Sequence, residues 1–274
     1  MQLVVISHYP KYGIDNLRRL VYNLLICSPG IDYDMCVVVN NNVIEETNEI
    51  CEERIGIFLK EIIMDVINRP DIKYLTFPSK VIIQVRENVG MNIGAWNYGW
   101  HHNKIYDYYL LLQDEVNVIS ENWLNSFLTI AKQQESRGND IFQIGESINT
   151  HWARSWDTLR KSNENQNIEI DSEKIGKVDY FLKCFKYWGV NEFDHGGHLR
   201  SLIWFFNAKT LHLINGFEIG DNYFSCIASE ILTSLKVRKL NGQIIQIDNE
   251  SFRYFWHPEW RKDGVSKKYK NKLY

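Results

Sequence analysis

Two segments in the first half of the chain carry residues that suit a diphosphate and a divalent cation. Residues 85–99 read VRENVGMNIGAWNYG, a turn rich in glycine and asparagine that leads into a helical pattern. Backbone N–H groups at the start of a helix attract anionic oxygen atoms such as those of a phosphate. Residues 108–112 form an apolar run, which is followed by Gln113, Asp114 and Glu115. Because hard cations prefer carboxylate and phosphate oxygens, the two segments together predict a site for a nucleotide sugar.

An alternation of strands and helices is predicted to position these two segments. The predicted strands are 3–7, 35–39, 81–85 and 108–112. The predicted helices are 15–27, 45–66 (one helix or two short ones) and a helix that follows the glycine-rich turn and ends near residue 104. Short β-branched runs separated by helices favour a mostly parallel sheet covered by helices on both faces. The predicted fold class is therefore α/β, in a single domain.

Polar side chains lie at the ends of several predicted strands. In parallel sheets of this kind, ligands bind at the carboxyl ends of the strands. The residues at those ends are Ser7, His8, Asn40, Asn41, Arg86 and Asp114. We expect them to lie close together and to form one site. Arg86 also has a structural interpretation, in which it pairs with Glu87 or Asp114.

The order of motifs along the chain resembles a known family. The motifs are Arg86-x-Asn88-x-Gly90-x-Asn92-x-Gly94, then Gln113-Asp114, then His198-Leu199-Arg200-Ser201, and last Ala228-Ser229-Glu230. This order resembles the family 2 glycosyltransferases of GT-A fold, especially the rhamnan-synthesis type, and the resemblance covers roughly residues 3–250. It implies a GT-A-like, Rossmann-like fold and the transfer of a hexosyl or pentosyl group.

The resemblance also implies roles for the two halves of the chain. A nucleotide-sugar donor is expected in residues 1–118, and a glycan, lipid-linked or protein-linked acceptor is expected in residues 119–274. The residues expected to bind the donor are Ser7, His8, Asn40, Arg86, Asn88, Gly90, Gly94 and Gln113.

A divalent cation, Mg²⁺ or Mn²⁺, is expected to offset the charge of the leaving diphosphate. Asp114 and Glu115 are the natural ligands, because both ions prefer oxygen. The resemblance adds His257, which lies late in the chain where many GT-A enzymes have a third metal ligand. A histidine among aromatic residues is also typical of a packed core. The usual Asp-x-Asp is Gln113-Asp114-Glu115 here, so which acid binds metal and which binds ribose stays open.

A transfer that inverts the anomeric carbon needs a carboxylate to take the acceptor proton. Glu230 matches by position the base of similar enzymes. Asp194 is the second choice, because the nearby Gly196-Gly197 lets the backbone approach a ligand closely. Glu230 also reads as an ordinary acid near a helix N-terminus. A retaining enzyme would not need this base, and the sequence leaves the stereochemistry open.

Composition argues against several other kinds of protein. A net charge of −3 gives no global attraction to nucleic acid or to an anionic membrane. The five cysteines are odd in number and scattered, which favours a reducing compartment over a disulfide framework. The first residues read as a strand and not as a signal peptide, and no apolar run approaches the ~20 residues that span a bilayer. A soluble cytoplasmic protein is expected, with peripheral membrane association left open.

The second half of the chain has a looser pattern. Helices are predicted over 123–131 and 224–240, with Gly242 as the stop of the second helix. The polar stretch 161–167 is predicted to be an exposed loop. Residues 261–272 contain six basic side chains. They read as a solvated tail or as a contact to a donor diphosphate, a lipid-phosphate acceptor or a partner.

Three other classes of protein fit the sequence less well. A non-catalytic GT-A-like module that binds nucleotide or glycan is the main alternative to an enzyme. A dinucleotide oxidoreductase would need the G-x-G-x-x-G order after the first strand, which the chain lacks. Metal-dependent hydrolysis of phosphoesters would need more clustered histidine and aspartate than the sequence contains.

Overall fold

A seven-stranded β-sheet forms the centre of the molecule in a computed structural model of the chain. The structure describes residues 1–41, 46–72, 74–191, 195–249 and 252–257. The predicted residue Asp194 and the basic tail 261–272 therefore lie outside the described residues.

The first half of the chain follows the predicted order of strands and helices. The strands are β1 (Gln2–His8), β2 (Asp34–Asn41), β3 (Val81–Glu87), β4 (Tyr108–Gln113) and β5 (Asn117–Val118). The helices are α1 (Asp15–Ile26), α2 (Asn48–Ile67) and α3 (Met91–His102), with a 3-10 helix at Pro10–Tyr12. The four predicted strands are all present and differ from the prediction by one or two residues at their ends.

The second half of the chain has shorter strands. They are β6 (Phe142–Gly145), β7 (Ile148–Asn149), β8 (Asn167–Ile170), β9 (Glu173–Gly176), β10 (His198–Leu199), β11 (Ile203–Asn207), β12 (Gln243–Gln246) and β13 (Phe255–Trp256). The helices are α4 (Trp123–Ser136), α5 (Trp156–Arg160), α6 (Lys177–Tyr187), α7 (Ala208–Leu213) and α8 (Tyr223–Lys239), with 3-10 helices at Thr150–Trp152 and Asn163–Asn165. The stretch 161–167 is thus not a simple loop, because it includes a 3-10 helix and the first residue of β8. Within the described residues, no helix combines the length and the apolar character that a membrane span requires.

The central sheet has the strand order β12-β6-β11-β4-β1-β2-β3. β1 is parallel to β2 and β4, β2 is parallel to β3, and β12 is parallel to β6. β11 is antiparallel to both of its neighbours, β4 and β6. Val5 pairs with Cys36 on one side and with Leu111 on the other, so β1, β2 and β4 end at the same edge of the sheet. The sheet is therefore mostly parallel, as predicted, with one reversed strand.

Helices cover both faces of the sheet because strand side chains alternate between two hydrophobic clusters. In β1, Val4 and Ile6 belong to a cluster with α1, α2 and α4, whereas Leu3 and Val5 belong to a cluster with α3, α7 and α8. A strand buried on both faces reads as a continuous apolar run, which explains why the sequence predicted it. The single-domain α/β fold with helices on both faces is confirmed.

A third hydrophobic cluster lies among α5, α6 and α8. It includes Trp152, Phe181 and Leu232. Leu232 lies in α8, and Val237 of α8 belongs to the cluster that contains Leu3 and Val5 of β1. α8 therefore joins the sheet to this third cluster. Both contacts fix the position of α8, the helix that carries Glu230.

Candidate functional site

A cleft of about 430 Å³ opens at the carboxyl edge of the sheet. Its walls come from the ends of β1, β2 and β4, from the β3–α3 turn, from α8 and from the segment around β10. Its size lies within the range common for small-molecule sites. The predicted residues that line it are Ser7, His8, Asn40, Asn88, Gln113, Asp114, Glu115 and Glu230. Residues predicted for donor, cation and base thus share one cleft.

Arg86 stabilises the turn between β3 and α3 through hydrogen bonds of its guanidinium. Its guanidinium donates to the side-chain oxygen of Asn40 at 3.0 Å and to the carbonyl oxygen of Val89 at 2.8 Å. Asn40 in turn donates to the carbonyl oxygen of Met91 at 3.0 Å. Burial lowers the pKa of Arg86 from its ordinary value. Arg86 therefore shapes the turn, and the side chain of Asn40 is fixed at the cleft by this network.

Gly90 and Gly94 are required by the shape of the same turn. Gly90 has a φ of 78°, in the left-handed region that glycine adopts without a steric penalty. A Cβ on Gly94 would lie 1.9 Å from the carbonyl oxygen of Val89 and 2.7 Å from a guanidinium nitrogen of Arg86. These two glycines position Asn88, which does line the cleft.

His8, which is buried, and Asp114, which is partly exposed, form a pair at the ends of neighbouring strands. Nδ1 of His8 lies 2.5 Å from Oδ2 of Asp114, and the Asp114 amide donates to the carbonyl oxygen of Ser7 at 3.1 Å. A carboxylate oxygen accepts, so Nδ1 carries the proton of this bond. Nε2 of His8 is buried and has no hydrogen-bond partner among the described residues. This nitrogen is available for a hydrogen bond with a ligand atom.

Glu115 and His257 form a second pair beside the first. Oε2 of Glu115 and Nε2 of His257 are 3.3 Å apart. His257 is buried and follows β13, which pairs with β5. The hydrogen bond from His257 lowers the pKa of Glu115 and so favours its charged form. Glu115 lines the cleft, whereas His257 supports it from outside the lining.

These two pairs determine how a divalent cation would fit. In the part of the chain that the structure describes, no three His, Cys, Asp or Glu side chains form a metal-binding group. Asp114 and Glu115 nevertheless present consecutive carboxylates to the cleft. Mg²⁺ is commonly held by one or two carboxylates, with substrate phosphates and water as its other ligands. The donor set suits a cation that binds together with a diphosphate, and not a closed protein cage.

Each of the two carboxylate oxygens of Glu230 contacts a polar side chain. The Ser201 hydroxyl donates to Oε2 at 2.8 Å, and Nε2 of His198 lies 3.2 Å from Oε1. Nδ1 of His198 faces the carbonyl oxygen of Gly196 at 2.6 Å, and because a carbonyl only accepts, Nδ1 carries a proton. Nε2 is the ring nitrogen that faces Glu230, so His198 and Ser201 together orient its carboxylate.

Two side-chain amides connect the walls of the cleft. Nδ2 of Asn92 in α3 and Nε2 of Gln113 in β4 both donate to the carbonyl oxygen of Ser201, each at 2.8 Å. The hydroxyl of the same Ser201 holds Glu230. One residue therefore links the end of β4 to the predicted base.

The cleft also contains residues that were not predicted as site residues. Asn92, His198 and Ser201 line it, and a signal for them existed, since they belong to the motifs that carry the family resemblance. Trp152 and Lys177 line it as well. They have no sequence signal, because Lys177 reaches the cleft through the packing of α6 against α8, and Trp152 reaches it through the pairing of β7 with β10.

Five of the predicted residues that the structure describes do not line the cleft. Arg86, Gly90 and Gly94 build the adjacent turn, His257 contacts Glu115, and Asn41 donates to the carbonyl oxygen of Glu46. Asp194 lies outside the described residues, so its role stays a prediction.

Comparison with known proteins adds information about the fold. No protein-family profile and no curated protein sequence matches the chain. The structure is similar to the crystal structure of GalNAc-T7 with UDP, GalNAc and Mn²⁺, with a TM-score of 0.52 and 10% sequence identity, covering 89% of this chain and 41% of that chain.

A second solved structure is more distant. The apo structure of WbbM, a bifunctional glycosyltransferase, gives a TM-score of 0.46 and 12% identity, covering 97% of this chain and 44% of that chain. This similarity is too weak to indicate a common fold. The chain spans less than half the length of either protein. The sheet order and the similarity to GalNAc-T7 together show that the chain has a glycosyltransferase fold of the GT-A type.

Proposed function

We propose that this protein is a glycosyltransferase that moves a sugar from a nucleotide-sugar donor to a hydroxyl group of a glycan, lipid-linked or protein-linked acceptor. One observation carries the proposal: the consecutive carboxylates Asp114 and Glu115 line the same cleft as Glu230 and His198, which contact each other. The reaction needs a place for a charged leaving group and an acceptor for a proton. The cleft contains groups for both.

The donor is expected at the ends of β1, β2 and β4, the usual position of a ligand in such a sheet. Asn88 and Gln113 supply amide groups there, and His8 supplies a buried nitrogen. Arg200, next to Ser201, adds a guanidinium whose Nε is buried without a hydrogen-bond partner among the described residues. A guanidinium is well suited to diphosphate oxygens, so Arg200 is the expected cation for the leaving group.

The residues at the end of β4 fit a divalent cation that accompanies the diphosphate. Asp114 and Glu115 would hold it, with His257 orienting Glu115. When bound, the ion would supply positive charge that stabilises the leaving diphosphate. The Mn²⁺ in the GalNAc-T7 structure supports testing this ion first.

The reaction exchanges one bond at the anomeric carbon for another. The bond to the diphosphate oxygen breaks, and the nucleoside diphosphate leaves with the electron pair. The acceptor oxygen bonds to the same carbon, and its proton passes to the carboxylate of Glu230. Ser201 keeps the carboxylate oriented. These assignments apply to an inverting transfer, in which a base is required.

Ligand binding provides the first test. A panel of nucleotide sugars is screened for thermal stabilisation with and without Mn²⁺, because a ligand of the folded state raises apparent stability. Donors that bind are then incubated with acceptors, and the products are identified by mass spectrometry. We expect at least one donor to bind and to be consumed. If no nucleotide sugar and no nucleoside diphosphate stabilises the protein, the proposal is wrong.

A non-catalytic nucleotide- or glycan-binding module is the second candidate. The observation in its favour is that both oxygens of Glu230 are already engaged, by Ser201 and His198. The same experiment separates the two functions. A module would be stabilised by nucleotide or glycan and would form no product with any acceptor, including water.

A further inference from the structure

One end of the cleft carries aromatic rings and a lysine that the proposed reaction does not use. Trp152, Lys177 and Tyr223 line the same cleft as Glu230. Tyr223 is 60% exposed, whereas Trp152 is 5% exposed and reaches the cleft with a small part of its surface. The exposed ring of Tyr223 is therefore the one suited to pack against the apolar face of a sugar ring.

The geometry of α8 places Tyr223 at a distance from the reacting group. Tyr223, Cys226, Ile227 and Glu230 all line the cleft, and their spacing of three, four and seven residues puts them on one face of the helix. Seven residues of helix rise by about 10 Å. A ligand that contacts both Glu230 and Tyr223 is therefore longer than a single sugar ring.

Lys177 gives this end of the cleft a positive charge. Its Nζ lies 5.6 Å from the centroid of the Trp152 ring, a cation–π distance. Among the described residues, no carboxylate lies within ion-pair distance of this amine, whereas the exposed lysines Lys132 and Lys209 each pair with an acid. Lys177 is also the first residue of α6, where the helix dipole adds to the positive potential.

The β7–β10 ladder separates this lysine from the donor side. His198 pairs with Asn149 and Leu199 pairs with Ile148. Along β10 the chain continues to Ser201, which Gln113 contacts. Along β7 it runs the opposite way to Trp152, because the two strands are antiparallel. Trp152 and the end of β4 thus lie on opposite sides of His198.

We propose that Lys177, Trp152 and Tyr223 form an acceptor subsite that binds a negatively charged sugar residue, one that carries a phosphate or a carboxylate. The proposal rests on the proposed function. Tyr223 contacts the sugar ring, Lys177 contacts the anionic group, and Trp152 positions Lys177 through the cation–π contact. The enzyme therefore selects acceptors that are charged beyond the residue that receives the new sugar.

The test compares neutral and anionic sugars in the presence of UDP. Methyl glucoside, methyl glucuronide and glucose 6-phosphate are titrated by calorimetry into wild type, Lys177→Met and the control Lys174→Met. Lys174 is exposed and lies only three residues away. We expect wild type and Lys174→Met to bind at least one anionic sugar about tenfold more tightly than methyl glucoside. Lys177→Met should lose that preference and keep its affinity for UDP. The two anionic probes show whether phosphate or carboxylate is preferred.

A second variant protects the test against a folding defect. Tyr223→Ala changes an exposed residue and should weaken all three sugars to a similar extent, because it removes ring contact and no charge. The proposal is overturned if wild type binds neither anionic sugar more tightly than methyl glucoside. It is also overturned if Lys177→Met loses UDP affinity, because the lysine then serves the donor. The proposed function is tested by a separate transfer assay, and it fails if the protein transfers sugar from no nucleotide sugar.

Discussion

Each of the three carboxylates that line the cleft contacts a histidine ring. The pairs are Asp114 with His8, Glu115 with His257, and Glu230 with His198. The sequence identified the three acids because each follows a strand or lies in a motif. It did not predict the pairs, because their members are distant in the chain and meet only through strand pairing. Each histidine helps to orient the acid that it contacts.

Replacement of Glu230 by glutamine tests the base. Glu230→Gln keeps the shape of the side chain and its bond from Ser201, and removes the proton acceptor. Loss of a general base typically slows a reaction by about 10²–10⁴-fold, so kcat should fall by that factor while nucleotide affinity stays near that of wild type. Steady-state kinetics and calorimetry measure the two quantities. Glu173→Gln, at an exposed position, is the matched control.

Kinetics of Glu230→Gln and Asp194→Asn together distinguish Glu230 from Asp194, the alternative base. Near-normal turnover of Glu230→Gln together with an inactive Asp194→Asn would assign the base to Asp194. Activity in both variants would indicate a retaining enzyme, which NMR of the product's anomeric configuration decides.

Asp114 is the residue whose charge should matter most for the donor. Asp114→Asn keeps an oxygen for His8 and removes the negative charge, so we expect the fold to survive and transfer to fall at least about 100-fold. Activity and melting temperature are measured beside Asp65→Asn, which changes an exposed acid. A chelator should silence the wild type. Full activity in excess chelator would contradict metal binding by Asp114. Ribose binding would then be the remaining role for this residue.

At the scale of elements, the two halves of the chain differ in how far they could be predicted. β1, β2 and β4 are buried on both faces, so they read as apolar runs. β11 has an equally apolar sequence, but its antiparallel insertion between β4 and β6 depends on contacts distant in sequence. The cleft wall that contains Ser201 follows from this insertion. For that reason the sequence predicted the wall built from β1, β2 and β4 better than the wall that contains Ser201.

The end of α8 also has one feature that the sequence predicted and one that it did not. Gly242 was predicted as the stop, and its amide does bond to the carbonyl oxygen of Val237 at 2.9 Å. The left-handed residue, however, is Asn241, with a φ of 57°. The amide of Asn241 bonds to Arg238 at 2.8 Å, which completes a Schellman motif. The position of the stop was predictable, but the residue that bears the positive φ was not.

The glycine-rich turn is an element whose shape can be tested with a matched pair. Gly90 and Gly138 have φ values of 78° and 79°, so an alanine at either position carries a similar backbone penalty of about 1 kcal/mol. A Cβ at Gly90 would also lie 2.6 Å from Ile219, whereas a Cβ at Gly138 meets nothing within 4 Å. Gly90→Ala should therefore cost more stability than Gly138→Ala in urea unfolding.

Only the first of these two variants should also weaken nucleotide binding, because only that turn carries Asn88. Equal losses of stability, with unchanged nucleotide affinity in both variants, would show that the turn does not contribute to donor binding.

At the scale of the whole molecule, the last described segment is tied to the sheet by one buried acid. Glu146 follows β6 and accepts backbone hydrogen bonds from Arg253, Tyr254 and Phe255 at 2.8, 2.9 and 3.1 Å. These bonds hold the segment that leads to His257 and so to Glu115. Burial outweighs the backbone hydrogen bonds to this carboxyl and raises the pKa of Glu146 to about 7.

Stability should therefore fall as the pH rises from about 4.5 to about 7. In this range the folded protein, with a Glu146 pKa of about 7, binds more protons than the unfolded chain, where the pKa is 4.5. The stabilisation is complete below the lower value and lost above the higher one, and it amounts to about 3 kcal/mol. Glu146→Gln does not titrate and should flatten the pH dependence by a similar amount. Urea unfolding of both proteins between pH 5 and pH 8 measures this difference, and parallel pH profiles would show that Glu146 is charged in the folded state throughout.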